Sequence, residues 1–568
     1  MKILLAYPYF LYDRAAAENI DPPPIGLYYL GAALIERGHE VVIANWHDRR
    51  DDAASIEAEL KAAQPDLVGI SMFHANRWGG IDVAALAKRA HPAVPVVAGG
   101  VGATFLDALL LAHFPDIDYV VRGEGEQTFA ALADWLASDR RLPLDSIRGL
   151  SFRSEGRLLS TPDAPRIENL DELPDPARHY SFQHVALSRG CPGKCTFCGS
   201  PRFWGPKVRY HSAAYFVDQL ERLVKKGVSF FYFSDDTFTL KKELVHEVCA
   251  SILERGLDIQ WAAISRVDSV DAATLALMRR AGCIQISFGI ESGAAMVRAQ
   301  LNKRFDDAAI ERAFALATRH GILARAYLIY GNPGESDATI EETVALVRRI
   351  KPLVVLFHIL TLFPGTELYD ASAKRCGFGD EIWLERNEDI FYFQTDPELP
   401  QESVLAWGRR LKDAYYESLP GFVESIELHD DPAFAPLHAD FLSRLGMTFQ
   451  YGDYAAVAAI ADKDSIAERC YRRALGFGQS ARAALGLGVL LLKRRDFKAA
   501  ADLLGPAVAH FPGDPQLSLY LGIGHMNLCN FAQAIDEFEK WPDSSAAQNA
   551  LVRCREQERR LGVSIFAK

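Results

Sequence analysis

The sequence has few cysteines, no long apolar run and no excess of positive charge. Its nine cysteines are an odd number scattered over 568 residues, which argues against a framework of disulfide bonds. No apolar run reaches the ~18 residues that cross a bilayer, so no membrane span is expected. The net charge of −12 is unfavourable for holding phosphate backbones, and nucleic acid is therefore not expected as a partner.

The first residues also lack the features of a secretion signal. The apolar run there contains Pro8 and has no small-residue cleavage site, so it predicts a buried strand and a cytoplasmic protein. Hydrophobic residues make up 49% and charged residues 24% of the chain, as in ordinary globular domains. The length indicates roughly three domains of about 150 residues each.

Residues 1–140 alternate short apolar runs with helical patterns, which predicts a parallel sheet with helices on both faces. The predicted strands are Ile3–Ala6, Val41–Ala44, Leu67–Met72, Val94–Ala98 and Tyr119–Val121. Ligands of such folds bind beyond the carboxyl ends of the strands. The glycines at those ends either let a ligand approach the backbone or simply form turns. No G-x-G-x-x-G follows the first strand, so a dinucleotide site is not supported.

A cluster of three cysteines is the strongest chemical signal in the chain. Cys191, Cys195 and Cys198 lie in a glycine-rich loop with the spacing C-x3-C-x2-C. Three thiolates on one loop match a [4Fe–4S] cluster, in which each cysteine binds one iron. The next cysteine is Cys249, so one iron keeps an open position, as catalytic metal sites do. That iron could bind S-adenosylmethionine and release a 5′-deoxyadenosyl radical by electron transfer.

Two alternatives to an iron–sulfur cluster fit the sequence less well. A zinc site takes four ligands, and the next histidine is only His211. Three unrelated buried cysteines could also occur by chance, although the tight spacing disfavours this.

Residues 181–395 predict a partial (β/α)6 barrel, preceded by a linker at 141–180 that contains a short strand at Gly149–Arg153. The predicted barrel strands are Val185–Ser188, Val228–Phe233, Ile259–Ile264, Ile284–Phe288, Leu323–Ile329 and Leu353–Ile359. The cysteine loop follows the first of them, at the end where such barrels carry their sites. Cys283 is expected to be a core residue.

Residues from Val185 to Thr366 closely resemble the radical SAM superfamily, in its cobalamin-associated class. The resemblance lies in the cysteine loop and in the segments Phe233–Phe238, Arg266–Asp268, Gly289–Gly293, Gly331–Glu335 and Pro364–Thr366. It implies that S-adenosylmethionine is bound near five residues: Phe197, Ser234, Asp235, Arg266 and Glu291.

The first domain resembles the Rossmann-like cobalamin-binding domain of the same enzymes. The similar segments are Pro23–Leu27, Pro65–Ser71, Ala98–Gly100 and Arg122–Glu126. The resemblance implies a corrinoid lying across the strand ends, in contact with Tyr7, Ser71, Phe73, Gly99, Gly100, Val101, Gly123 and Glu124. The loop from Tyr9 to Ile20 has no Asp-x-His-x-x-Gly sequence and no histidine, so it cannot supply a histidine to cobalt. A degenerate domain that binds nothing stays an alternative.

The C-terminal part is helical and repetitive. Residues 396–440 predict a helical connector, and residues 441–568 predict helical repeats. Pairs such as Leu487 with Leu521, and Phe497 with Phe531, are separated by the 34-residue period of tetratricopeptide repeats. Such repeats either bind a protein partner or act as a structural cap or dimerisation element.

The main functional hypothesis is a cobalamin-dependent radical SAM enzyme that methylates an unactivated carbon. Its cofactors would be a [4Fe–4S] cluster, S-adenosylmethionine and cobalamin. Its partners would be a small-molecule, lipid or peptide substrate and an electron donor such as flavodoxin or ferredoxin. The first alternative is a non-methylating radical cyclase or rearrangement enzyme. A tRNA-modifying enzyme and a non-catalytic scaffold built on the repeats are further alternatives.

Overall fold

A computed structural model describes residues 1–12, 23–138 and 143–565. The chain divides into two compact units, described separately below. The first consists of Met1–Ala313, Arg325–Val347 and Val355–Leu411, and the second of Phe314–Ala324, Arg348–Val354 and Lys412–Lys568. The predicted domain boundary at residue 140 lies outside the described residues, as does most of the loop from Tyr9 to Ile20.

The N-terminal part of the first unit is an α/β domain built on a sheet of seven strands in the order β2-β1-β3-β4-β5-β6-β7. The first five strands are parallel. Its strands are β1 (Lys2–Tyr7), β2 (Glu40–Asn45), β3 (Leu67–Ser71), β4 (Val96–Gly99), β5 (Tyr119–Val121), β6 (Leu150–Ser154) and β7 (Arg157–Ser160). Its helices are α1 (Ile25–Glu36), α2 (Ala53–Ala63), α3 (Arg77–Ala90), α4 (Val101–Phe105), α5 (Asp107–His113) and α6 (Gly125–Ala137). Every predicted strand of this domain is present.

The predicted linker contains more structure than expected. Strands β6 and β7 form a hairpin that continues the sheet antiparallel to β5. Tight turns allow two short strands to pair locally, whereas the sequence analysis expected a single isolated strand in this segment. Residues 150–160 therefore extend the first sheet.

The barrel is a second sheet of six strands in the order β15-β14-β13-β12-β11-β8. Its strands are β8 (His184–Val185), β11 (Phe230–Phe233), β12 (Gln260–Ser265), β13 (Cys283–Glu291), β14 (Leu323–Tyr330) and β15 (Val354–Ile359). Two further strands, β9 (Ser188–Arg189) and β10 (Arg209–Tyr210), form a small separate ribbon. Its helices are α7 (Ser200–Trp204), α8 (Ala213–Lys225), α9 (Lys242–Glu254), α10 (Ala272–Arg280), α11 (Ala295–Gln300), α12 (Asp307–Arg319), α13 (Asp337–Ile350), α14 (Glu367–Cys376) and α15 (Tyr392–Thr395). Six strands separated by helices confirm the partial barrel, and Cys283 is fully buried as expected.

The C-terminal part is entirely helical in its described residues. Its helices are α16 (Gln401–Glu424), α17 (Ala435–Gln450), α18 (Lys463–Phe477), α19 (Ala481–Lys493), α20 (Phe497–His510), α21 (Pro515–Asn527), α22 (Phe531–Glu539) and α23 (Ser545–Ile565). Gly488 of α19 packs on Leu504 of α20, and Gly522 of α21 packs on Phe538 of α22. The two helix pairs therefore repeat the same contact, while their membership of the tetratricopeptide family stays a prediction.

Among the described residues, no helix is both long and apolar enough to cross a membrane.

Candidate functional site

A cavity of about 680 Å³ lies at the carboxyl ends of β1, β3, β4 and β5, between the first sheet and the mouth of the barrel. All eight residues of the expected cobalamin site line it: Tyr7, Ser71, Phe73, Gly99, Gly100, Val101, Gly123 and Glu124. The barrel side of the lining includes Ser188, Arg189, Gly199, Ser200, Ser234 and Asp236. The cavity thus adjoins the cysteine loop, and contact of these residues with cobalamin stays a prediction.

Bare backbone forms part of the cavity wall on the side of the first sheet. A Cβ atom added at Gly123 would meet no protein atom within 4 Å, and one at Gly99 would meet nothing nearer than Val121 O at 3.7 Å. Large planar groups can lie against such backbone because no side chain stands in the way. The residues present therefore fit a corrinoid.

His74 is a cavity residue that the sequence analysis missed. Its ring lies 5.2 Å from that of Phe363 and 5.6 Å from that of Trp383, measured between centroids. Burial lowers the pKa of His74 to about 3, so the imidazole is neutral at physiological pH. A histidine three residues beyond the end of β3 was the available signal.

The three cysteines lie between β9 and α7, all half-buried and with free thiols. Gly193 lies over two of them, because a Cβ on it would be 3.3 Å from Cys191 Sγ and 3.7 Å from Cys195 Sγ. The backbone N–H of Gly193 also donates to Cys191 Sγ at 3.4 Å. The loop therefore brings the sulfur atoms of Cys191 and Cys195 to the same side of Gly193.

The donor set suits an iron–sulfur cluster. Within residues 1–12, 23–138 and 143–565, no three His, Cys, Asp or Glu side chains converge on the position of a single metal ion. A four-iron cluster needs no such convergence, because each thiolate binds a different iron. Burial raises the pKa of Cys195 and raises that of Cys198 to about 11, so both thiols need a bound cation to become thiolates at neutral pH.

Two cationic side chains stand beside the cysteine loop, each with an acidic partner. Arg266 donates to Asp268 at 2.7 Å, and its Nη1 lies 3.6 Å from the position of a Cβ on Gly193. Lys303, which the sequence analysis missed, forms a buried ion pair with Glu291 at 2.8 Å. The positive charges of Lys303 and Arg266 favour the thiolate of Cys195.

The backbone of Glu291 is itself unusual. Its φ of 69° is in the left-handed region that residues with a Cβ rarely adopt. Strain of this kind is concentrated at ligand and active sites. The structure thus brings Arg266 and Glu291 to the cysteine loop, and their contact with S-adenosylmethionine stays a prediction.

Ser234 and Asp235 differ in the direction of their side chains. Ser234 lines the cavity, and its hydroxyl is 2.9 Å from His184 Nδ1. Asp235 is fully buried and accepts hydrogen bonds from Leu187 N at 3.2 Å and Ser188 Oγ at 2.5 Å. Its carboxylate therefore anchors the segment that leads into the cysteine loop, and burial raises its pKa to about 7.

Phe197, between the second and third cysteines, packs against a small apolar cluster of Ala294, Val297 and Leu301. This contact holds the cysteine loop against the segment that follows β13. The side chain is half-buried, and its expected contact with S-adenosylmethionine stays a prediction.

A buried ion network that the sequence analysis missed joins the first sheet to the cysteine loop. Arg189 donates to Glu124 at 2.7 Å and to Glu126 at 2.6 Å, and Arg209 donates to Glu124 at 2.7 Å. Paired carboxylates raise the pKa of Arg189 against the effect of its burial. The carboxylate of Glu124 thus binds two arginines. The sequence analysis had instead expected Glu124 to contact a corrinoid, and that contact stays a prediction.

Comparison with known protein families identifies two regions of this site. The B12 binding domain family matches residues 16–133, and the radical SAM superfamily matches residues 185–347. The first region carries the cavity wall at the ends of β3, β4 and β5, and the second begins just before the cysteine loop.

Individual proteins are similar over larger parts of the chain. An uncharacterized methyltransferase of Pyrococcus horikoshii is 34% identical over 65% of this chain and 83% of its own. The anaerobic magnesium-protoporphyrin IX monomethyl ester cyclase of Rubrivivax gelatinosus is 30% identical over 65% of this chain and 69% of its own. The structure of the radical S-adenosylmethionine methyltransferase TsrM from Kitasatospora setae is similar with a TM-score of 0.60 and 19% identity, over 83% of this chain and 99% of that one. A cavity lined by glycine backbone, a three-cysteine loop at its edge and relatives of this coverage show that the chain belongs to the cobalamin-binding radical SAM family.

Proposed function

We propose that the protein is a cobalamin-dependent methyltransferase that acts on an unactivated carbon of a small-molecule substrate. The observation that carries this proposal is the single cavity that reaches from the glycine backbone of the first sheet to the cysteine loop. When bound, the cluster with S-adenosylmethionine supplies a 5′-deoxyadenosyl radical, and cobalamin supplies the methyl group. With both groups bound at this cavity, the two chemistries would lie next to each other.

The side chains of the chain have distinct tasks in this proposal. Cys191, Cys195 and Cys198 hold the cluster. Lys303 and Arg266 place positive charge beside it, which favours the thiolate forms of its ligands. The apolar lining of the cavity excludes water, which would otherwise intercept a reactive intermediate.

The network of Glu124, Glu126, Arg189 and Arg209 fixes the spacing between the two halves of the cavity. Arg189 is separated from Cys191 by a single residue, so movement of this arginine would move the cysteine loop. Catalysis depends on such positioning, because reacting groups must approach within about 3–3.5 Å.

A non-methylating radical cyclase is the second candidate. It is supported by the 30% identity to the cyclase of Rubrivivax gelatinosus, whose name describes ring formation. The two candidates share the cysteine loop and the cavity. They differ in whether a second molecule of S-adenosylmethionine donates its methyl group.

The products from S-adenosylmethionine distinguish these candidates. The protein is reconstituted anaerobically with iron, sulfide and cobalamin, then given a reductant, methyl-labelled S-adenosylmethionine and a metabolite extract. A methyltransferase forms both 5′-deoxyadenosine and S-adenosylhomocysteine, and transfers label to a product. Formation of 5′-deoxyadenosine alone, with no labelled product, would favour the cyclase, and absence of 5′-deoxyadenosine would overturn both.

Three finer features belong to the same proposal. A reduced flavodoxin or ferredoxin delivers the electron. The repeated helix pairs of the C-terminal part bind a protein partner. The reducing cytoplasm is the compartment in which the thiol-bound cluster is kept.

A further inference from the structure

The register of the barrel strands shows which side chains share the inner face of the barrel. Cross-strand pairing places His184, Tyr232, Ala262 and Gln285 in one row across β8, β11, β12 and β13. On β14 the exposure alternates, with Arg325 and every second residue after it partly exposed and the others buried. Arg325 Nη2 donates to Gln285 Oε1 at 3.2 Å, so Arg325 projects from the same face as this row.

Arg325 has one buried N–H group without an acceptor among the described residues. Its guanidinium is partly buried, and among the described residues no carboxylate forms an ion pair with it. Its Nε is buried and has no acceptor in the described part of the chain. A cation held away from water is normally paired with an anion or with several acceptors. By contrast, the buried Arg189 has two glutamates.

The barrel face that carries Arg325 also carries aromatic and apolar side chains. The ring of His184 stacks on Tyr232 at 4.7 Å between centroids, and Tyr327 lies 6.1 Å from His358. Ile264 is 38% exposed although it lies on a barrel strand. Exposed apolar surface on the same face as a cation without a carboxylate among the described residues fits a ligand with an apolar or aromatic body and an anionic end.

We propose that Arg325 binds an anionic group, a carboxylate or a phosphate, on an otherwise apolar substrate. This inference rests on the proposed function, since it assigns the substrate class of the same enzyme. Arg325 stands five residues before the end of β14 at Tyr330, which corresponds to roughly 16 Å along a strand. The substrate is therefore elongated, with its anionic end inside the barrel and its reacting carbon near the mouth.

Model ligands test the proposal without knowledge of the substrate. Full-length protein with its reconstituted cluster is titrated by calorimetry with 3-phenylpropionate, with phenyl phosphate and with the neutral 3-phenylpropanamide. We expect the wild type to bind at least one anion about tenfold or more tightly than the amide, as is typical of hydrogen bonds to charged groups. Whichever of the two anions binds more tightly indicates whether the substrate carries a carboxylate or a phosphate.

Variants test whether Arg325 causes the preference for anionic ligands. Arg325→Gln should remove the preference for the anion, and Arg325→Lys should retain part of it. Arg255→Gln is the matched control, because Arg255 pairs with Asp218 and Glu221 on the outer helices and should leave the preference unchanged. Equal binding of the anions and the amide by the wild type, or a preference that survives in Arg325→Gln, would overturn the proposal.

The same preparation separates this inference from the proposed function. Wild-type protein that forms no 5′-deoxyadenosine but shows an Arg325-dependent anion preference would sink the proposed function alone. Protein that forms 5′-deoxyadenosine without any anion preference would sink only the assignment of Arg325.

Discussion

The two sides of the cavity differ in what they expose. The first sheet contributes glycine backbone at Gly99 and Gly123, whereas the barrel contributes polar side chains such as Ser188 and the paired Arg189, beside the cysteine loop. A flat organic cofactor is held mainly by shape and backbone contact, while a metal cluster needs specific donor atoms. The same cavity therefore uses two kinds of recognition, and each can be disrupted without the other.

Loss of one thiol should have the largest effect. Cys195→Ala removes a cluster ligand, so we expect the reconstituted protein to lose its iron–sulfur absorbance and 5′-deoxyadenosine formation to become undetectable. Iron and sulfide analysis provides the measurement. Cys529→Ser, at an exposed free cysteine, is the control and should keep the cluster. A Cys195→Ala protein with a full complement of iron would contradict the assignment.

Filling the glycine side should remove cobalamin while the cluster stays. Gly99→Leu places a side chain in the cavity, because the nearest protein atom to its Cβ is 3.7 Å away and the protein itself can accept it. Visible absorbance of the reconstituted protein should show cobalamin lost and iron retained. Gly505→Leu, at a helix position with no atom within 4 Å, should bind cobalamin like the wild type. Unchanged cobalamin content in Gly99→Leu would place the corrinoid elsewhere.

Breaking the network between the two sides should destabilise the first unit. Glu124→Gln removes the shared partner of Arg189 and Arg209, and loss of one member of a buried ion pair costs about 3 kcal/mol of unfolding free energy. Urea unfolding followed by circular dichroism measures this cost. Glu168→Gln is the control, because Glu168 pairs with Lys207 on the surface and should cause no measurable change. Equal stability of the two variants would show that the network contributes little.

The smallest effect is expected at Asp235, where pH is the variable. Its pKa is raised to about 7 by burial, above the ~3.9 of an unfolded chain. Protonated Asp235 therefore makes its full contribution to the free energy of unfolding below about pH 4. This contribution is lost as the pH rises towards 7. Asp235→Asn should flatten this dependence, with a net change of about 1 kcal/mol at pH 7 from the altered hydrogen bonds.

Unfolding free energies at pH 5 and pH 8 measure the slope for Asp235. Asp218→Asn, an exposed carboxylate on α8, should retain the slope of the wild type. An Asp235→Asn protein whose stability still falls over this range like the wild type would place the titrating group elsewhere.

Local pattern was sufficient for much of the fold. The apolar runs at Leu67–Met72 and Ile284–Phe288 correspond to β3 and β13, because period and composition reflect burial of neighbouring residues. The predicted strand at Gly149–Arg153 corresponds to β6. Its partner β7 was missed, since a strand of four residues is hard to distinguish from a loop. Lys303 was missed because it belongs to no motif and meets Glu291 only through the barrel.

The sequence by itself determined the cysteine spacing, and with it the iron–sulfur chemistry, because three ligands on one short loop depend only on their neighbours in the chain. It also determined the order of strands and helices. Only the tertiary structure decided which charged side chains form ion pairs. Glu124 meets Arg189 and Arg209, and Asp235 meets Ser188, through contacts between residues far apart in sequence. The pairing of a buried charge depends on such contacts. No local pattern therefore distinguishes Glu124, which two arginines bind, from Arg325, which meets no carboxylate among the residues that the structure describes.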